Sequence, residues 1–220
     1  MTAVGNLESL TQKALRLKAY QACRNLIGRF SFYNACVCRK ELCELFSKGS
    51  ASSVESPWGV YEGYDGVWRR YVEEHGDRTD PVLREKFRGN TVIHGVDTEI
   101  IEVAEDGLSA RGYWLSPGAD FSVNARGEGA SAFCWIRVYA DFVCEDGVWR
   151  IKSYGFGPVH RMGMGENWCL AGQVDFAKMY PTAAPDRARE PECWQFGSPY
   201  TGEDIPVPRP ASIYGKEAEA

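Results

Sequence analysis

The spacing of apolar residues in this 220-residue chain changes near residue 91, and that change limits the folds open to it. Before this point apolar residues recur every three or four positions, which is typical of the buried face of a helix. After it they alternate in long runs rich in Val, Ile, Trp, Tyr and Phe, which is typical of strands. A helical first part followed by long strands predicts an α+β fold.

The helical part begins with a strong amphipathic pattern over residues 7 to 30. Asn6 is a suitable N-cap, Glu8 lies in the first turn, and the length corresponds to about six turns. Shorter elements are predicted after this helix, in the order helix, strand, strand and helix: Arg39 to Phe46, Ser52 to Glu55, Trp58 to Tyr61, and Tyr64 to Glu74. Pro57 separates the two strand segments, because proline interrupts a ladder of hydrogen bonds.

The second part predicts two long hairpins in one curved antiparallel sheet. Each hairpin has a Glu-Asp-Gly turn, at residues 105 to 107 and 145 to 147. The predicted strands are Thr91 to Val103, Leu108 to Ser116, Ser131 to Glu145, and Val148 to Phe156. Between the hairpins, the glycine-containing and apolar-poor segment Ala119 to Ala130 is interpreted as a mobile loop that could act as a lid.

The composition changes after Tyr180, because seven of the eleven prolines lie at or beyond Pro181. We therefore predict one domain over residues 1–160 and an irregular C-terminal extension over residues 161–220. The extension contains four large aromatic residues, whose area favours packing on the domain or on a neighbouring subunit: Trp194, Phe196, Tyr200 and Tyr214. A homo-oligomer, either a dimer or a trimer, is expected.

Charge and hydropathy argue against several classes of partner. The formal net charge of −5 disfavours nucleic acid, whose binding proteins usually present a basic surface. No apolar run approaches the length of about 18 residues needed to span a membrane, and the N-terminus lacks the pattern of a secretory signal. A cytoplasmic location is the default expectation. The eight cysteines are then predicted to be reduced thiols in or near the core.

The order of elements and several short motifs resemble the cone-shaped NTF2-like fold, in particular its SnoaL-like branch. The resemblance covers about residues 8 to 156 and includes His94. The other segments that carry it are Gly28-Arg29-Phe30, Glu44-Leu45-Phe46, Trp58-Gly59-Val60-Tyr61-Glu62-Gly63, Ile101-Glu102-Val103, Ala110-Arg111-Gly112-Tyr113-Trp114 and Asp146-Gly147-Val148-Trp149-Arg150-Ile151. The resemblance implies a curved sheet wrapped around the N-terminal helices.

The resemblance also implies a cofactor-free pocket in which an acid and a base move protons on a hydrophobic, ring-bearing substrate. Relatives include ketosteroid isomerases, polyketide cyclases, scytalone and bile-acid dehydratases, a dehydrochlorinase and formaldehyde-eliminating lyases of lignin-derived diaryl compounds. His94 matches the histidine of the family's dehydratases. Their tyrosine and aspartate on the first helix correspond to Phe30 and Ala35 here, so the expected carboxylate is missing.

Other residues are candidates for the missing partner of His94. Tyr33 lies about one helical turn beyond Phe30, and its phenol could exchange a proton or bind an oxyanion. Arg137 could stabilise a developing anion, and Glu55 or Asp141 could act as a base or orient His94. For these three charged residues an exposed ion pair is the competing interpretation.

The aromatic residues suggest the type of substrate. A flat apolar pocket for a phenolic or polycyclic molecule could be lined by Phe30, Trp58, Tyr61, Tyr113, Trp114 and Trp135, although packing between sheet and helix also explains such residues. The three scattered histidines lack the spacing of a metal site, so no metal is expected.

These observations favour a cofactor-independent lyase that removes water or a small carbonyl fragment such as formaldehyde by acid–base elimination. An isomerase or cyclase would use the same groups. A binding protein that holds a hydrophobic ligand without turning it over is the alternative from another class, and an assembly subunit that uses the proline-rich extension is a third.

Overall fold

The computed structural model describes residues 3–49, 51–86, 88–123, 128–165 and 184–189. Its helices are α1 (Ala3–Ala35), α2 (Arg39–Cys43), α3 (Gly63–Trp68), which continues into a π-helical turn (Arg69–Glu73), and α4 (Pro81–Lys86). Its strands are β1 (Ser53–Ser56), β2 (Gly59–Glu62), β3 (Thr91–His94), β4 (Asp97–Val103), β5 (Ser109–Val123), β6 (Gly129–Glu145) and β7 (Val148–Gly163). The predicted α+β class, with helices followed by a long-stranded sheet, is confirmed.

Helix α1 buries one face against the sheet, and this face follows the spacing seen in the sequence. Ala19, Cys23, Ile27 and Phe30 recur at steps of three and four, and all are almost fully buried. Opposite them, the sheet contributes a buried layer that includes Ala110, Trp114, Val138, Ala140, Phe142 and Ile151. The helix is longer at both ends than residues 7 to 30, and its packed face begins only at Ala19, because Leu10 and Leu17 of the predicted apolar face are 62% and 68% exposed.

The sheet has seven strands in the order β2-β1-β7-β6-β5-β3, with β4 also paired to β5. Strands β5, β6 and β7 pair antiparallel over most of their length, and β1 joins β7 in parallel. The sheet is therefore mixed and mostly antiparallel. The short β1–β2 hairpin turns at Pro57 and Trp58, where the sequence predicts a break.

Two predictions about the strands need correction. The predicted strand Thr91 to Val103 is divided at Gly95 and Val96, and the register slips again after Asp97, near Thr98, whose φ of 50° is left-handed. The predicted loop Ala119 to Ala130 is mostly strand, because β5 continues to Val123 and β6 begins at Gly129. In this region β5 pairs with both β3 and β6, and such pairing stabilises strands of low intrinsic propensity.

Only a small part of the predicted C-terminal extension is described. Strand β7 runs to Gly163, past the predicted boundary at residue 160. Residues 184–189 lie beside β2, where Val60 pairs with Arg187 and the Asp186 carboxylate accepts a 2.6 Å hydrogen bond from Arg69. Trp194, Phe196, Tyr200 and Tyr214 lie outside the described residues. Within the described helices, none combines the length and hydropathy needed to cross a bilayer.

Candidate active site

A cavity of about 250 Å³ lies between α1, the short helical elements and the concave face of the sheet. Aromatic side chains form much of its wall. Phe30 packs against Tyr154 with ring centroids 4.1 Å apart and against Tyr71 at 5.7 Å. The other aromatic residues of the lining are Trp58, His75, His94, Phe121 and Phe156. The cavity is thus an apolar, ring-lined pocket with polar groups at defined positions, which is the usual form of a small-molecule site.

His94 and Asp120 form a hydrogen-bonded pair in the cavity wall. His94 ends β3, Asp120 lies near the end of β5, and Nε2 of the imidazole is 3.2 Å from Oδ1 of the carboxylate. The side chains are 16% and 25% exposed, so both remain accessible from the cavity. Nδ1 of His94 is buried without a hydrogen-bond partner among the described residues. We therefore assign the hydrogen to Nε2, which donates it to Asp120.

The charges around Asp120 favour its ionised form. Burial by itself raises the pKa of this carboxyl, but the hydrogen bond from His94, the charge of a protonated His94 and the Arg161 guanidinium together outweigh that effect. The Arg161 Nε atom is 3.5 Å from Oδ2 of Asp120, and Arg161 is one of the residues that line the cavity. The net result is a lowered pKa for Asp120, so this aspartate is a carboxylate at neutral pH. We call His94, Asp120 and Arg161 the sheet-side triad.

Cys134 brings a third potential metal ligand close to the pair. Its Sγ is 3.8 Å from both Nε2 of His94 and Oδ2 of Asp120, and the ligand atoms of the three residues lie within 4.8 Å of one another. A metal would require the thiolate, but burial and the Asp120 charge raise the pKa of Cys134 to about 12. The Arg161 guanidinium also opposes a cation here. These residues therefore fit a metal ion poorly, and metal independence remains a prediction.

A second polar group enters the cavity from the helical side. It consists of Arg39, Arg70 and His75, which we call the helix-side cluster. The Arg70 guanidinium forms an ion pair of 3.2 Å with Glu74 and lies 5.0 Å above the Trp58 ring. His75 contacts Arg70 through Nε2, and burial together with the two arginines lowers its pKa well below the usual value. His75 is consequently neutral at physiological pH.

The segment after α1 helps to shape this side of the cavity. The Val37 amide donates to Asn34 and the Cys38 amide donates to Tyr33, at 3.2 and 2.9 Å, as in a Schellman helix end. This motif requires a left-handed residue, and Val37 occupies it with a φ of 58°. Glycine is the usual residue there, so the β-branched Val37 is strained. Its side chain lines the cavity, as does that of Asn34.

Three of the residues predicted from the sequence line this cavity together, namely His94, Phe30 and Trp58. Two others, Tyr61 and Trp114, are almost completely buried in the core and are not part of the lining. Tyr33 borders a separate surface groove with Arg29 and Phe32, so the structure does not bring its side chain to His94.

The remaining predicted residues lie away from the cavity. Burial alternates along β6, and the buried positions Cys134 and Val138 define the inner face, so Trp135, Arg137 and Asp141 belong to the outer face. Tyr113 is on that outer face too, with its ring 6.5 Å from that of Tyr139. Asp141 accepts hydrogen bonds from Arg111 at 2.5 Å and Ser153 at 2.9 Å. Glu55, on β1, binds Arg189 at 2.7 Å.

Several polar residues of the lining were not predicted. Asp120 falls in the segment interpreted as a loop, and Arg161 lies just beyond the predicted last strand. Arg39 and Arg70 look like ordinary surface residues of short helices, and nothing local in the sequence signals their burial. Tyr71 and Tyr154 were predicted only as parts of a helix and a strand. A strand pattern continued through Ala119 to Val123 would have placed Asp120 two residues from the position opposite His94.

The sequence and the fold match a known family. Residues 15–155 match the model of the SnoaL-like domain, which is well over half of the chain, so the protein belongs to the SnoaL-like domain family. A candidate dehydratase of the NTF2-like family from Streptomyces avermitilis has the same fold, with 12% identity, a TM-score of 0.51, and coverage of 64% of this chain and 97% of the other. The predicted NTF2-like fold is confirmed.

Two further solved structures are similar in fold. A candidate scytalone dehydratase from Novosphingobium aromaticivorans has 15% identity and a TM-score of 0.55, covering 81% of this chain and 99% of the relative. The hexachlorocyclohexane dehydrochlorinase LinA-type3 from Novosphingobium barchaimii has 13% identity and a TM-score of 0.52, covering 69% and 93%. At these identities the likeness concerns the fold. A search of curated proteins finds no match to the sequence.

Proposed function

We propose that this protein is a lyase that acts by acid–base elimination on a small ring-bearing substrate, with the His94–Asp120 pair as the proton acceptor. The observation that carries the proposal is the position of this pair, hydrogen-bonded at 3.2 Å in the wall of an aromatic cavity. The dehydratase and dehydrochlorinase names of structurally similar proteins agree with elimination chemistry.

The geometry limits which atoms can take up the substrate proton. Because Nδ1 of His94 is buried beside Gly118 and Nε2 already carries the hydrogen that it donates to Asp120, the Asp120 carboxylate is the part of the pair that can accept a proton from the cavity. The two groups share one hydrogen and act as a unit that gains one proton from a carbon or hydroxyl of the substrate. For loss of water, the electron pair of the broken C–H bond forms the new double bond, the C–O bond breaks, and the departing hydroxide takes a proton from an acid. For loss of formaldehyde, the electron pair of the broken O–H bond forms the C=O bond of the fragment, the C–C bond breaks, and its electrons remain on the rest of the substrate, which takes up a proton.

Departure of an oxygen leaving group requires a proton donor and stabilisation of negative charge. Tyr71 and Tyr154 line the cavity, and burial raises the pKa of both phenols, so each retains the proton that an acid must donate. Arg161 contributes a fixed positive charge at the sheet side. In this proposal Arg161 takes the role predicted for Arg137, and Tyr71 or Tyr154 takes the role predicted for Tyr33.

The dimensions of the cavity indicate the size of the substrate. Pockets for drug-sized ligands measure roughly 300–1,000 Å³, and this cavity of about 250 Å³ lies below that range. It therefore suits a phenolic substrate with one ring and a short side chain better than a polycyclic one.

A direct test is to incubate the protein with phenolic aryl alcohols in deuterated buffer. Mass spectrometry then follows loss of water or formaldehyde, together with deuterium entering recovered substrate. We expect turnover by the wild type, loss of at least about 10²-fold in His94→Gln and Asp120→Asn, and normal turnover in the matched control Asp141→Asn. Binding of these alcohols without elimination or exchange by the wild type would show a ligand-binding protein instead.

An isomerase is the second candidate, because the His94–Asp120 pair that accepts a proton in the cavity can also return it to the substrate. In an elimination the abstracted proton stays on the pair until it is released to solvent or to the leaving group, whereas in an isomerisation it returns to another atom of the same substrate. Deuterium incorporated at a new position in a product of unchanged composition would identify the isomerase.

A further inference from the structure

Arg39 carries a charge for which the described part of the chain provides no ion-pair partner. The residue is only 7% exposed, and its Nε and Nη1 atoms are buried without a hydrogen-bond acceptor among the described residues. Burial lowers its pKa to about 10, so the guanidinium is still a cation at neutral pH. A buried arginine is normally paired, because burial removes the hydration of its charge.

The two acidic groups near the helix-side cluster bind other residues, although Asp77 attracts Arg39 without forming an ion pair with it. Asp77 accepts hydrogen bonds from the Lys40 amide at 3.0 Å and from the amide and hydroxyl of Thr79 at 2.9 and 2.7 Å. Glu74 is paired with Arg70. Arg70 is itself 4% exposed and lowers the pKa of Arg39 by repulsion, so the two cations lie close enough to interact. Of the two arginines, Arg39 is therefore the one without an ion pair among the described residues.

Both arginines line the cavity that contains His94 and Asp120. Arg39 reaches it from α2 and Arg70 from the π-helical turn, whereas the sheet-side triad comes from β3, β5 and β7. Much of the rest of the wall is aromatic, with Phe30, Tyr154 and Phe156 among its residues. A ligand that meets both groups would have an anionic end, a flat apolar body and a reactive end.

We propose that the substrate of this site carries a carboxylate, which Arg39 binds at the helical side of the cavity with Arg70 beside it. The proposal deepens the proposed function and rests on it, since it names the class of substrate: a small aromatic carboxylic acid. A guanidinium matches a carboxylate because two parallel N–H groups can meet its two oxygens. The carboxylate supplies the negative charge of an ion-pair partner, which Arg39 lacks within the described chain.

The experiment compares ring compounds that differ only in charge. Calorimetric titrations at pH 7.5 measure the affinities of cinnamate and benzoate and of their neutral amides, cinnamamide and benzamide. For the wild type we expect each carboxylate to bind about 10- to 100-fold more tightly than its amide. Equal affinities for acid and amide would overturn the proposal without any variant being needed.

Variants then test whether Arg39 is the residue that makes the acids bind more tightly than the amides. We expect Arg39→Gln to bind acid and amide equally, Arg39→Lys to keep a reduced preference, and the exposed-arginine control Arg29→Gln to match the wild type. An undiminished preference in folded Arg39→Gln would exclude the assigned site. His94→Gln is expected to keep the preference for acids, so failure of the lyase chemistry and failure of carboxylate binding are separate results.

Discussion

His94 and Gly118 lie directly opposite each other on β3 and β5, and the imidazole occupies the space that a side chain at position 118 would need. A Cβ added at Gly118 would lie 2.3 Å from Nδ1 of His94 and 2.5 Å from the Ile93 carbonyl oxygen. No real side chain tolerates such distances, so the glycine permits the orientation in which Nε2 faces Asp120.

We therefore expect Gly118→Ala to displace the His94 ring and to lower turnover by at least about 10²-fold, as loss of a positioned proton acceptor does. The matched control is Gly28→Ala on α1, where an added Cβ meets no atom within 4 Å. The control should keep full activity and gain roughly 0.5–1 kcal/mol in free energy of unfolding, because alanine favours a helix interior. Turnover by Gly118→Ala at the wild-type rate would show that the ring orientation is unimportant.

Asp120 should make stability depend on pH in a definite direction. Its pKa is lowered in the folded protein despite burial, by the hydrogen bond and charge of His94 and by Arg161. Such a group stabilises the folded state above its unfolded pKa of about 3.9, and the stabilisation is lost as the pH falls through the lower folded value. Urea unfolding from pH 7 to pH 2.5 should therefore show an acid-sensitive component in the wild type that is absent from Asp120→Asn. Identical pH profiles would contradict the assigned charge.

The sequence predicts most of the helices and strands, because the spacing of apolar residues in each element can be read from neighbouring residues alone. The face of α1 that contains Cys23, Ile27 and Phe30 could be recognised from its period alone. Asp120 could not, because its segment is poor in apolar residues and is held in the sheet by pairing with β3 and β6. Strand pairing of this kind is tertiary information that residue composition does not carry.

The sequence also leaves undetermined which face of each strand points toward the core. Alternation correctly groups Trp135, Arg137 and Asp141 on one face of β6, but it does not say which face meets the helix. The burial of Cys134 and Val138 assigns the inner face to their set of residues. Burial of Arg39 likewise depends on packing between elements distant in sequence.

Cys134 should be chemically inert although it touches the site. Its pKa of about 12 keeps the thiol protonated at neutral pH, and protonated thiols react slowly with alkylating reagents. Iodoacetamide should modify the exposed Cys36 much faster than Cys134, as measured by peptide mass spectrometry.

Cys134→Ala should keep its activity, and chelators should leave the activity of the wild type unaffected. Inhibition by a chelator that added zinc reverses would instead identify the His94, Asp120 and Cys134 group as a metal site.

Asp141 should contribute to stability rather than to chemistry. Its ion pair with Arg111 is about one-third exposed, and such pairs stabilise a protein by about 0–1 kcal/mol after solvent screening. We expect Asp141→Asn to lower the free energy of unfolding by less than about 1 kcal/mol and to leave kcat and KM unchanged. A large fall in kcat with normal stability would return Asp141 to the list of catalytic candidates.

Tyr33 and Asn34 are neighbours on α1 but border different spaces, and comparing them tests the assignment of the cavity. Tyr33 lines the surface groove with Arg29 and Phe32, whereas Asn34 lines the cavity of His94. Tyr33→Phe removes only a hydroxyl that lies outside the cavity, so its kcat and KM should equal those of the wild type. Asn34→Leu places an apolar group in the cavity wall and should raise KM, because it removes a polar group available to the substrate. Steady-state kinetics and substrate titrations on both variants measure the difference. A loss of kcat in Tyr33→Phe with Asn34→Leu unaffected would place the catalytic cavity on the other side of α1.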